Sequence, residues 1–198
     1  MGNTVGSPTS LLATTNDAYI LGLWGADRYL RTSSIGLSNT NPKLLFRFAN
    51  FLISRFTEDR IRIRSYSSSV YPELQKFKIS YCKGSKNKLP AFHVYVNSRP
   101  LVREFTQSLS QRKLLFGDNV YAYFAGRFDG DGSVSGKHLR IVYGDIGDLN
   151  ADRELLQDIK TSVYEYSSAG TYCLYFSRRT VKMFIERISL YSISGKLL

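Results

Sequence analysis

The stretch FAGRFDGDGS, at 124–133, places two aspartates, Asp129 and Asp131, among glycines at the end of an apolar run. Carboxylates so placed fit three arrangements: a calcium loop, an ordinary turn, or a site where a divalent cation acts on a substrate. The calcium reading fails on spacing. An EF-hand loop needs Gly at its sixth position and Glu at its twelfth. Counted from Asp129, the chain offers Val134 and Arg140. Other chemistries are poorly supplied. Two cysteines (Cys82, Cys173) and two histidines (His93, His138) lack zinc-ligand spacing. No nucleophile elbow of G-x-S-x-G type is present to support a serine hydrolase. His93 reads as a satisfied strand residue rather than a catalyst, and both cysteines as buried thiols in a reducing, intracellular setting.

The turn reading accounts for the glycines but not for a second copy of the pattern. DAYILGLWGAD (17–27) lies under YAYFAGRFDGD (121–131) at a constant offset of 104 residues, so that Asp27 matches Asp131. Small residues recur every fourth position in both: Ala18, Gly22, Ala26 and Ala122, Gly126, Gly130. On a helix these share one face, and a small-residue stripe lets two helix backbones approach closely. Trp24, inside the first copy, reads as core. Two such helices packed along Ala18, Gly22, Ala122 and Gly126 would bring two carboxylates to helix C-termini that are themselves partly negative. That arrangement is unfavourable unless a cation sits there. Hard divalent ions take carboxylate, water and phosphate oxygens.

The elements that must position these acids follow the same duplication. VYVNSRPLVREF (94–105) echoes CLYFSRRTVKMF (173–184). The spacing predicts half-domains at 12–110 and 111–198, preceded by a loose arm at 1–11. In the first, a helix over 17–26 capped by Asn16 or Asp17 leads to strands at 29–38. A helix over 41–56 and strands at 60–69, 77–82 and 91–98 follow, then a closing helix from 100 to 109. In the second, helices at 119–129, 151–162 and 179–191 alternate with strands at 138–143, 162–168 and 171–177. The class is α+β, two pseudo-symmetric αββαββα-type halves with antiparallel sheets and helices largely on one face.

The charge points to a polyanion. Among 198 residues, 27 Lys+Arg exceed 16 Asp+Glu, for a net charge of +11, with a pI near 9.7. In RIRIRSYSS, strand period 2 puts Arg60, Arg62, Arg64 and Tyr66 on one side and Ile61 and Ile63 on the other. Tyr29, Arg31 and Ser33 repeat the pattern. Lys76, Lys78, His138 and Arg140 extend the candidate nucleic-acid contacts, and KGSKNK (83–88) reads as a basic hairpin turn. Arginine binds phosphates and guanine edges, and a β-ribbon fits the major groove. The competing reading is the solvated outer face of a sheet. No apolar run reaches the length of a bilayer span.

At these residues the chain resembles a family. ILGLWGADR (20–28) and FAGRFDGDG (124–132) look like the paired motifs of the LAGLIDADG homing endonucleases, in the single-chain, two-motif form, over about 16–190. The resemblance implies that the motif helices pack at the half-domain interface and that antiparallel sheets form a DNA-binding saddle. It also implies that Asp27 and Asp131 are the catalytic, metal-binding acids. The residues before them, Ala26 and Gly130, would complete the protein's metal ligands. Asn39 (with Thr40 beside it) and Lys137 would be catalytic helpers. The cofactor would be Mg²⁺, with Mn²⁺ able to substitute. The partner would be double-stranded DNA with a long, near-asymmetric site, bound by a monomer. Two departures stand out: Arg28 replaces the final motif glycine of the first copy, and Gly25 stands where the second copy has Asp129.

Two other functions remain open at this stage: an intron RNA-binding maturase of the same family, and a DNA-binding protein that has lost the chemistry. Retained acids in both motifs weigh against the latter. The start with Met and the ending GKLL fit an intron-encoded enzyme better than an intein.

Overall fold

The computed structural model describes residues 10–31, 33–66, 71–82, 91–136, 138–157, 161–166, 170–176 and 178–197. Lys137, the basic stretch 83–88 and residues 1–9 of the expected arm lie outside them. The end of that arm is not loose: Leu11 and Leu12 sit in a 3-10 turn with side chains in the core.

The first helix, α1, spans Thr15–Asp27. It starts one residue before the expected Asn16, because Thr14 is the cap. Thr14 Oγ1 accepts from the Asp17 N–H at 3.1 Å and donates to the Asp17 carboxylate at 2.6 Å, a reciprocal box on the first turn. Strands β1 (Arg28–Arg31) and β2 (Ser34–Asn39) follow as a hairpin. Helix α2 (Pro42–Ile53) is capped by Asn41, whose side chain accepts from Lys43 N, with Pro42 in its first turn. Strands β3 (Ile61–Ser65), β4 (Lys78–Tyr81) and β5 (Phe92–Asn97) lead to helix α3 (Arg99–Ser110). The second series runs α4 (Asp118–Asp131), β6 (Gly132–Ser135), β7 (His138–Tyr143), α5 (Ile146–Glu154), β8 (Thr161–Tyr166), β9 (Thr171–Phe176) and α6 (Arg178–Ser189).

The class is α+β. One sheet has the order β1-β2-β5-β3-β4 and the other β6-β7-β9-β8. Shared alternation sets their faces: Ile61, Ile63, Val94, Val96, Ile35 and Leu37 are buried in the first, and Leu139, Ile141, Leu174 and Phe176 in the second. Three expectations change. The pair β3–β4 is parallel, while every other described pair is antiparallel. Residues 66–77 between its strands are long enough to cross over rather than fold back as a hairpin. Strand β3 begins at Ile61, because Glu58–Arg60 forms a 3-10 turn, so Arg60 lies outside the strand. Helix α5 begins at Ile146 and ends at Glu154, not 151–162. Its cap is Asp145, which accepts from Asp148 N at 2.8 Å, and Thr161 already belongs to β8.

The chain forms two compact units. One runs Asp27–Glu104. The other joins the described residues up to Ala26 with those from Phe105 onward. Helix α1 therefore belongs, up to its last residue, with α4. Inside that unit the two helices touch backbone to backbone. A Cβ on Gly22 would lie 1.9 Å from Tyr123 O and 3.2 Å from Arg127 N, and one on Gly126 would lie 2.1 Å from Tyr19 O and 2.6 Å from Leu23 N. The contacts are reciprocal: the partners of Gly126 sit 104 residues before those of Gly22, as the repeat requires. Ala18 and Ala122 are fully buried.

Unit two also buries charge. Asp152 is fully buried and accepts from Tyr123 Oη (2.8 Å), Tyr143 Oη (2.9 Å) and Arg127 Nε (3.0 Å), with Arg112 Nε 2.7 Å from its Oδ1. Burial first, then the Asp152 charge, pushes both tyrosines well above their usual pKa, so they stay neutral donors. Gly25 makes room for this network: a Cβ there would approach Arg127 Nη1 at 3.0 Å. The absence of an acid at Gly25 thus has a packing reason.

Gly22→Ala should lower unfolding free energy by about 2 kcal/mol or more, because neither backbone can retreat without uncoupling the helices. Chemical denaturation of the variant against wild type measures it, and an unchanged midpoint would contradict the close crossing.

Candidate active site and nucleic-acid interface

Each acid stands at the last position of a helix, where the backbone turns into a strand. Asp27 ends α1 and β1 begins at Arg28; Asp131 ends α4 and β6 begins at Gly132. Gly132 has φ −89° and Arg28 needs no glycine either, since every described residue with positive φ is a glycine and Gly132 is not among them. Gly132 is required instead by proximity: a Cβ would lie 2.2 Å from the Phe128 ring.

Asp27 is partly exposed, and Asn39 Nδ2 donates to its Oδ2 at 2.6 Å. Asn39 Oδ1 accepts from Asn41 N at 2.7 Å, and Asn41 caps α2. The start of α2 therefore fixes which end of the Asn39 amide faces Asp27. Thr40 is exposed, and its carbonyl lies 3.4 Å from Tyr71 Oη.

Asp131 is partly buried in a different setting. Burial raises its carboxyl pKa above the usual value, while Arg127 and Lys196 draw it back. Lys196 Nζ donates to the carbonyls of Asp129 and Gly130, each at 2.7 Å. Asp129, two residues earlier, is fully buried and saturated. It accepts from Tyr19 Oη (2.7 Å), Ser192 Oγ (2.5 Å), Ile193 N (2.8 Å) and Ser194 Oγ (2.6 Å). It is a structural carboxylate. Neither Lys196 nor this role of Asp129 carries a sequence signal, because the partners lie more than sixty residues away.

A hard divalent cation fits these donors. Each acid offers one carboxylate, and the residue before it in the chain, Ala26 or Gly130, a main-chain carbonyl. Among the described residues no cluster of three acidic, histidine or cysteine side chains exists to cage a metal.

The candidate nucleic-acid contacts divide by face. On the open side of the first sheet, register places Tyr29, Gly36, Tyr95, Arg62 and Lys78 in one row, and Ser38, His93, Arg64 and Ser80 in the next. Gly36 leaves a gap that the flanking tyrosines close, their ring centroids 5.4 Å apart. His93 lies 4.8 Å from the rings of both Tyr29 and Tyr66, with Nδ1 lacking a hydrogen-bond partner. Burial, then Arg64 and Arg31, lowers its pKa, so it is neutral near pH 7. His93, Tyr95 and Asn97 were readable by alternation in AFHVYVNS as residues of this face. Arg31 is exposed over the Tyr29 ring, and Ser33 sits in the β1–β2 turn.

Two expected contacts already have protein partners. Arg60 Nη2 donates to Asn97 O at 3.2 Å and its guanidinium packs on Phe56. Lys76 precedes β4 and pairs with Glu58 at 2.9 Å. On the second sheet, Arg140 donates to Ser133 Oγ at 2.8 Å in the same row as Tyr175, and His138 is exposed at the start of β7.

A mesophilic variant of the homing endonuclease I-DmoI superimposes with a TM-score of 0.67 at 20% identity, over 91% of this chain and 98% of that one. I-DmoI in complex with DNA and Mn gives 0.64 at 19%, over 88% and 96%. I-WcaI bound to its DNA recognition sequence gives 0.61 at 11%, over 100% and 95%. The chain has the fold of these homing endonucleases. No family profile and no curated protein matches its sequence.

The Asp131 environment has a measurable consequence. A carboxyl whose folded pKa is raised binds its proton more tightly when folded. Stability is therefore lost as pH rises from the ordinary value of 3.8 through the raised one. In metal-free protein at pH 7, Asp131→Asn should melt higher than wild type, and the gap should close as pH falls through that window. A variant less stable than wild type at pH 7 would contradict the burial argument.

Proposed function

We propose that this protein is a sequence-specific, metal-dependent double-strand DNA endonuclease, encoded within an intron and acting as a monomer. The observation that carries the reading is the reciprocal crossing of α1 and α4, each helix ending in an aspartate at a strand junction. The fold shared with I-DmoI, solved with DNA and with Mn, Mg or Ca, supports it.

Asp27 and Asp131, with the carbonyls of Ala26 and Gly130, would hold Mg²⁺, or Mn²⁺ in its place. When bound, the cation supplies charge neutralisation at the scissile phosphate and a water activated for in-line displacement. Asn39 holds the Asp27 carboxylate in one orientation. The open sheet faces fix the duplex: Arg62, Arg64, Lys78 and Arg140 with phosphates or guanine edges, and Tyr29, Tyr66 and His93 against bases or sugars. Because the two open faces carry different side chains, the two half-sites should differ in sequence, giving a long, near-asymmetric target.

The deciding experiment is cleavage selection with Mg²⁺ on a randomised duplex library. Wild type should return one long site. Asp27→Asn and Asp131→Asn should each abolish cutting while retaining binding to that site. If both variants stay folded yet lose binding, the acids hold DNA rather than metal. Asn39→Ala should slow cutting roughly tenfold to a hundredfold, as loss of an orienting partner does at metal sites, with affinity for the site unchanged. Single-turnover rates and a filter-binding titration separate these effects.

A further inference from the structure

We propose that Lys196 is a positioning residue of the second acid site: a resident cation on the Gly130 carbonyl that a divalent ion must displace. The inference rests on Asp131 holding metal and deepens that reading.

Three features carry it. First, the Lys196 ammonium reaches three carbonyls at the end of α4: Asp129 and Gly130 at 2.7 Å each, and Phe128 at 3.5 Å. Phe128 O also accepts from the Gly132 N–H, while the Asp129 and Gly130 carbonyls lie in the last turn, at the negative end of the helix dipole. They are also the main-chain oxygens nearest in sequence to Asp131. Second, the segment bearing Lys196 is tied in place. Ser192, Ile193 and Ser194 all bond the Asp129 carboxylate, and Ser194 Oγ accepts from Lys196 N at 3.2 Å. The two aspartates of FDGD thus divide their roles: Asp129 holds the segment, and the segment sets a positive charge beside Asp131. Third, two cations act on Asp131, Arg127 and Lys196, and of these Lys196 also holds the Gly130 carbonyl.

A monovalent ammonium and a divalent cation compete for the same carbonyl oxygen and repel one another at that range. Lys196 therefore steadies α4 and Asp131 without metal and lowers metal affinity at that site. A lysine serving only as a helix cap would support the helix equally but leave metal affinity untouched.

The test uses the full chain with Asp27→Asn as background, so that the second site is read alone. Free Mn²⁺ is followed by electron paramagnetic resonance. Lys196→Met should bind Mn²⁺ about tenfold more tightly than the lysine parent, and Lys196→Arg should bind like the parent. Independently, saturating Mn²⁺ should reduce hydrogen-exchange protection of the Ile193–Lys196 amides in unsubstituted protein, a readout that needs no variant to fold. Equal affinity in the lysine and methionine proteins, including equal absence of binding, would overturn the proposal, as would unchanged protection at saturation. The reading of Asp131 fails separately: Asp27→Asn/Asp131→Asn would then bind Mn²⁺ as tightly as Asp27→Asn alone.

Discussion

The structure turns on two glycines. At Gly22 and Gly126 the backbones of α1 and α4 approach so closely that a single added carbon on either would overlap a carbonyl of the other. No side chain can mediate that contact, so it holds only where the small-residue stripes face each other. The crossing fixes where each helix ends, and each ends in an aspartate. Helix ends set by a backbone contact are placed more rigidly than ends set by side-chain packing, which can repack.

Three carboxylates close to α4 show how environment assigns roles to one side-chain type. Asp152 is buried among two arginines and two tyrosines and serves as the centre of a polar network. Three of its members hydrogen-bond Asp152, while Arg112 Nε meets it as an ion pair at 2.7 Å without hydrogen-bond geometry. Asp129 is equally buried but is satisfied by hydroxyls and backbone N–H groups, which ties the segment after α6 to the helix. Asp131 is left partly buried, with positive charge near it. Burial raises its carboxyl pKa, against the pull of Arg127 and Lys196.

The sheets contribute in a complementary way. Their buried faces are aliphatic and interchangeable in kind, while their open faces are individual. The first offers arginines set around a histidine and three tyrosines. The second offers Arg140, Ser133 and Tyr175. The two sheets therefore share a buried pattern and differ on their open faces.

The sequence by itself determined what is local and periodic. The helical stripes, the matched acids at an offset of 104 and the in-and-out alternation of β3 and β5 follow from the 3.6- and 2-residue periods. So did the order of the elements, because each half repeats it. Tertiary structure decided what depends on partners distant in the chain. Sequence could not show that β4 would join β3 in parallel, since pairing direction depends on how the connection crosses the sheet. It could not show that Arg60 and Lys76 would turn to Asn97 and Glu58. Nor could it separate Asp129 from Asp131, two identical side chains two residues apart. One meets serines more than sixty residues away and the other faces Lys196, which is as distant, and only the folded chain brings those groups within reach.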